Sequence, residues 1–236
     1  MPSLDSVNQK LYRAQMHFGE LNKELRAYYE TEPISFTPHA TYTPEEPRFV
    51  FRETKPVPAR IGLIAGDCLQ NLRSALDYLV WELVGAAGNE PCKKNAFPVA
   101  LSPEAYEDDL KKRGKLNGVA QKAEAHIRAL QPFHTPEATR DGAILAVLDL
   151  LTNINKHRRV LLTGMGAVLK EDNSVPPNYK DLVRPLEPNG NHGSFNVFVA
   201  VQEAGPIKGM EIAGVMNVFA EYIAKQVVPL FQEFFL

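Results

Sequence analysis

The chain has 236 residues, 44% hydrophobic and 23% charged, with Lys+Arg 26 against Asp+Glu 28 and a formal net charge of -2. That length supports one large core or two small ones. The near-balance of charge removes the bulk electrostatic reason for a duplex-DNA partner.

Residues 4–29 carry the cleanest pattern. Leu4, Val7, Leu11, Ala14, Phe18, Leu21, Leu25 and Tyr28 recur in steps of three and four, which predicts an amphipathic helix. Pro2 and Ser3 suit its start and Pro33 lies just past its end. Residues 34–58 hold Pro38, Pro44, Pro47, Pro56 and Pro58; ISFTPHATY and RFVFRET flank TPEEP and read as a β-hairpin of edge strands. A second long helix runs from about Arg60 to Ala86 and is ended by AAGNEP. Short helices and loops fill 96–140, with Ser102 as an N-cap before Pro103, and with VAQKAEAHIRALQPF stopped at Pro132. A longer helix is expected from about Arg140 to Leu162, with Ile144, Val147, Leu148, Leu151 and Ile154 on one face. Residues 170–193 read as loop, SFNVFVAV as a strand, and EIAGVMNVFAEYIAKQVV as the last helix.

Four apolar helical stripes are buried together most simply in a bundle. The expected fold is therefore mainly α: a four-to-five-helix bundle with a small β-hairpin or sheet appendage built from 34–54 and 194–208. It is read as a single domain over 1–236, with a hairpin insertion at about 34–58 and a C-terminal strand and helix at about 194–236.

The second helix contains GDCLQNLRSALDYLVWEL. At 100° per residue, Arg73, Asp77, Gln70, Ser74, Asp67, Tyr78 and Asn71 share an arc of roughly 160°. Ile61, Ile64, Cys68, Leu72, Ala75, Leu76, Leu79 and Leu83 occupy the opposite arc. The polar set is short and rich in hydrogen-bonding groups, lacks lysine, and shares its arc with Leu63 and Trp81. It reads either as a solvated face or as a partly buried network that needs partners. Arg73 and Asp77 are spaced for an intrahelical pair.

A second candidate is TNINKHRRVLL. If the helix continues through it, Arg158 enters the stripe of Val147, Leu151, Ile154 and Leu162 and needs a carboxylate. Asp67 and Asp77 are then the suppliers, with Asn153, Lys156 and His157 at the edge of the same region. If the helix ends near Asn155, Lys156 to Arg159 form a solvated cationic terminus favoured by the helix dipole. The expectation is that the arc around Arg73 and Asp77 meets Asn153–Arg158 across a helix–helix contact.

Cys68 and Cys92 lie in no CxxC or Cys/His cluster, and no HExxH, GxSxG, GxGxxG or Walker pattern occurs, so no metal and no cofactor are expected. Cys68 falls on the apolar arc and should be a buried thiol in a reducing compartment. No cationic-then-apolar leader and no apolar run long enough to span a bilayer are seen, which points to the cytoplasm.

GDCLQNLRSALDYLVWEL and NINKHRRVL, with FPVAL and LQPF between them, resemble a family of uncharacterised bacterial proteins. Its pattern is close to GDxxxNLRSALDHL, then FP, then QP, then DKHR or NKHR. The resemblance covers most of the chain and carries no activity with it. A looser resemblance is to the HEPN helical bundles, many of them ribonucleases or toxin components and often dimeric. Their signature is an arginine, four to six residues, then a histidine. Here Arg73 takes the arginine position and Tyr78 stands where the histidine would. Tyrosine cannot replace imidazole as an acid–base group near neutral pH, so this reading borrows His157 from another helix. Arg128 and His134 have the spacing, but Pro132 lies between them.

Two functions follow. In the preferred one the chain is a binding or interaction module and a homodimer; the polar network of Asp67, Asn71, Asp77, Asn153, Lys156 and Arg158 is structural or holds an anion such as a nucleotide or RNA. In the alternative it is a HEPN-like, metal-independent ribonuclease or toxin-type enzyme, in which Arg73 stabilises negative charge beside His157 and Tyr78.

Overall fold

The computed structural model describes residues 1–38, 49–157, 163–170, 194–202 and 205–236; at 36–38, 49–51, 140–142, 157, 166–170 and 194–197 it describes the backbone alone. The described chain is mainly helical, a bundle with two small antiparallel sheets.

Helix α1 (Asp5–Tyr29) buries the face its periodicity marks: Val7, Ala14, Leu21, Leu25 and Tyr28. It packs antiparallel to α2 (Ala59–Ala86). At one end Glu82 of α2 accepts from the Ser6 hydroxyl at 2.8 Å and from the Ser3 amide at 3.1 Å. At the other, Arg60 reaches Glu20 at 3.0 Å and Glu24 at 3.1 Å. Helix α2 ends as AAGNEP requires. Gly88 takes φ +79, a left-handed turn that glycine adopts without steric cost, and Asn89 N–H returns to Val84 C=O.

The apolar arc of α2 is the centre of the core. Ile61, Cys68, Leu72, Leu76, Leu79 and Leu83 are buried there, and α1, α5 (Ile144–His157), α6 (Ile212–Tyr222) and the C-terminal segment pack around them. Each fully buried leucine or isoleucine contributes roughly 1.5–3 kcal/mol of transfer free energy. Cys68 is a free thiol in this core and burial pushes its pKa up to about 12. Cys92 is free and exposed.

Between α2 and α5 lie α3 (Pro103–Lys111), capped by the Ser102 hydroxyl accepting from Ala105 N–H, and α4 (Gln121–Ala129). Helix α5 is shorter than its periodicity predicts. A 3₁₀ turn occupies Glu137–Gly142, so the α-helix starts at Ile144 and is described to His157. After α6 the chain widens into a π-helical turn, Ile223–Val227, and then tightens into a 3₁₀ segment, Val228–Phe235. Phe231 of that segment is buried, and Glu233 meets Lys122 and His126 of α4.

The expected hairpin is present, with β1 (Ile34–Pro38) antiparallel to β2 (Phe49–Glu53) in register Ile34↔Glu53; its TPEEP turn lies outside the described residues. The second sheet differs from expectation. SFNVFVAV, β4 (Ser194–Val201), does not join the hairpin; it pairs with β3 (Thr163–Lys170), register Thr163↔Val201. TGMGAVLK forms a strand although Gly164 and Gly166 weaken its β pattern. The sheet is tied to the bundle where the Tyr29 hydroxyl accepts from Val199 N–H at 2.8 Å. Among the described residues no helix is long and apolar enough to cross a membrane.

Candidate functional site

Arg73 sits midway along α2 with its side chain 11% exposed, and its three nitrogens serve three directions. Nη2 donates to Phe97 C=O at 2.7 Å. Nη1 lies 3.0 Å from Asp77 Oδ1, a charge contact without hydrogen-bond alignment, so that atom makes no hydrogen bond. Nε lies 3.3 Å from Asp149 Oδ1 on α5. Asp77 Oδ1 also accepts from Phe97 N–H at 2.9 Å. Arg73 and Asp77, one helical turn apart, thus hold both backbone polar groups of Phe97, as a neighbouring strand would.

The same substitution of side chain for strand continues along the segment. Phe97, Pro98 and Ala100 are buried but belong to no strand or helix. Buried backbone groups must find partners. Gln131, 2% exposed, donates from Nε2 to Pro98 C=O and Ile127 C=O, both at 3.0 Å, while its Oε1 accepts from Ala100 N–H at 3.0 Å. Upstream, Asn95 accepts from Cys92 N–H at 2.7 Å and donates to Asn117 C=O at 3.0 Å. The arginine and aspartate of NLRSALD, the FP dipeptide and the glutamine of QP therefore meet at one place: they pin residues 97–100 over the core.

Arg73, Asp77 and Asp149 put one cation against two carboxylates, and Asp149 is in turn bonded by Asn153 Nδ2 at 2.9 Å. The two carboxylates outweigh the guanidinium by one negative charge. Helices α2 and α5 can approach because Gly66 has no side chain; a Cβ there would collide with the Asn155 amide.

The sequence-marked residues divide sharply. Arg73 and Asp77 are together. Asn153 and Lys156 are exposed, Asn153 bonding Asp149 within its own helix. Asp67 is exposed and its carboxylate makes no ion pair among the described residues; Asn71 donates only to the Asp67 backbone, at 2.9 Å. Tyr78 is 42% exposed, with Lys10 Nζ 5.2 Å from its ring centroid. The side chain of His157 and all of Arg158 lie outside the described residues. The expected receipt of a cation from α5 by aspartates of α2 is thus reversed where it can be followed. The cation, Arg73, comes from α2 and the carboxylate, Asp149, from α5.

Asp149 has no place in the sequence expectations, and Gln131 enters them only within LQPF. Asp149 is the sole acid in ILAVLDLLTNINKH, and that isolation among apolar residues was the available signal. A buried acid, Asp109, mirrors the Arg73 group with inverted charge: it accepts from Lys115 at 2.7 Å and Arg113 at 3.0 Å. Tyr106 is fully buried, its hydroxyl without a hydrogen-bond partner among the described residues, and burial raises its pKa. Among the described residues no group of three or more His, Cys, Asp or Glu side chains is placed to hold a metal ion. No family model, curated protein or solved structure matches the chain.

Proposed function

We propose that this chain is a cytoplasmic interaction module of the bacterial family whose motifs it resembles, and that its Arg73 network is architectural. The observation that carries the reading is the commitment of Arg73: Nη2 is bonded to the Phe97 carbonyl, two carboxylates lie against Nη1 and Nε, and the side chain is mostly enclosed. A guanidinium flanked by Asp77 and Asp149 has little attraction left for a phosphate, since two nearby negative charges oppose a third. Asp77 is likewise occupied by Phe97 N–H. The group holds residues 97–100 and leaves the outer surface of α2 to make contacts with a partner.

Incubation of purified protein with a panel of RNAs, with Arg73→Ala and His157→Ala beside wild type, tests this. No cleavage by any form, with Arg73→Ala less stable, is the expected result. Cleavage by wild type that is lost in both variants would establish the ribonuclease reading instead.

A further inference from the structure

The outer face of α2 is unusual for a helix at the centre of a bundle. Leu63, Tyr78 and Trp81 are 50%, 42% and 46% exposed, and they flank Asp67, Gln70 and Ser74. At 100° per residue Leu63, Gln70, Ser74 and Trp81 fall on one line, with Asp67 and Tyr78 along its α1 side. Tyr78 and Trp81, one turn apart, form one apolar end of this face, and Leu63, about 27 Å along the helix from Trp81, forms the other.

The spacing along that line is mirror-symmetric about Leu72. Leu63 and Trp81 each stand nine residues from it, Gln70 and Ser74 each two, and Asp67 and Tyr78 five and six. An isologous two-fold contact requires residue i to meet j while j meets i. Two antiparallel copies of α2 crossing at Leu72 satisfy this. Leu63 meets Trp81 of the second copy, and Gln70 meets Ser74, so a centre of short side chains lies between two apolar ends.

Charge identifies the occupant. An antiparallel two-fold places the α1 side of one copy beside the α1 side of the other. Asp67 then faces Tyr78 of the second copy, where Lys10 stands over the ring. Within one copy, neither Asp67 nor Lys10 has an ion-pair partner among the described residues, and eleven residues of helix, about 16 Å, separate Asp67 from Tyr78. Two copies complete both pairs. We infer that a second copy of this chain docks antiparallel on the Leu63–Trp81 face of α2, closed by two Asp67–Lys10 ion pairs. This names the partner for the interaction reading above and rests on it.

Sedimentation velocity over a micromolar concentration series tests the inference, with circular dichroism confirming that each variant is folded. Wild type is expected to dimerise and Trp81→Glu to be monomeric. Asp67→Lys should weaken the dimer about tenfold or more, each tenfold being about 1.4 kcal/mol. Combining it with Lys10→Glu should restore the dimer, because the charges are exchanged across the axis. A wild type monomeric throughout overturns the inference. So does a dimer indifferent to Trp81→Glu, or a double variant no tighter than Asp67→Lys alone. None of these outcomes produces RNA cleavage, so failure of this surface and failure of the interaction reading are distinguished.

Discussion

Two sides of the same helix contrast in a way that inverts the usual rule. On the side of α2 that turns to α5, a charged residue, Arg73, is enclosed between two carboxylates and bonded to the Phe97 carbonyl. On the outer side, Leu63 and Trp81 stand half exposed. The difference separates two demands. An enclosed charge with matched partners is retained because it fixes the position of other groups, here residues 97–100 and α5. The exposed half of an aromatic adds little to the isolated fold and gains stabilisation when another surface covers it. The first side should therefore answer to stability measurements and the second to association measurements.

The largest effect should come from Arg73→Ala. It strands Asp77 and Asp149 without their cation and leaves Phe97 C=O unpaired, and should destabilise the fold by about 3 kcal/mol in urea unfolding. Arg73→Lys should fall between, since one ammonium cannot reach three directions. A loss under about 0.5 kcal/mol, the range of ordinary surface changes, would make the two sides equivalent. Next is Gln131→Leu, which keeps the volume but removes the partners of Pro98 C=O, Ile127 C=O and Ala100 N–H; about 2 kcal/mol should be lost by the same measurement.

Gly66→Ala should cost about 1 kcal/mol by pressing on the Asn155 amide. In an Asn155→Ala background the same change should become neutral or stabilising, because alanine is the better helix former by about 0.8–1 kcal/mol. Thermal melts of the four proteins would show that sign reversal, or its absence. Trp81→Glu should have the smallest effect on folding, within about 0.5 kcal/mol, measured at concentrations where wild type is monomeric. A larger loss would mean that Trp81 belongs to the core after all.

The thiols sharpen the comparison further. Cys68 lies on the buried arc, and desolvation of the thiolate carries its pKa to about 12, whereas Cys92 is exposed. A thiol reagent near neutral pH should modify Cys92 in the folded protein, and Cys68 only after unfolding. Mass spectrometry of partly labelled protein would show the order.

The sequence by itself determined the elements whose cause is local. The α1 stripe, the Gly88 stop, the Ser102 cap and the hairpin strands follow from periodicity, φ preferences and side-chain reach within a few residues. It also marked the arc of α2 as abnormal, since that is a property of one helix. Only the tertiary structure decided which groups answer that arc. Asp149 lies 76 residues from Arg73, and Phe97 receives its backbone partners from side chains instead of a strand. β4 found β3 across residues whose pattern gives no register. These are choices among distant partners. They are settled by what the packed bundle brings within about 3 Å of a buried polar group, and no window of sequence contains that distance.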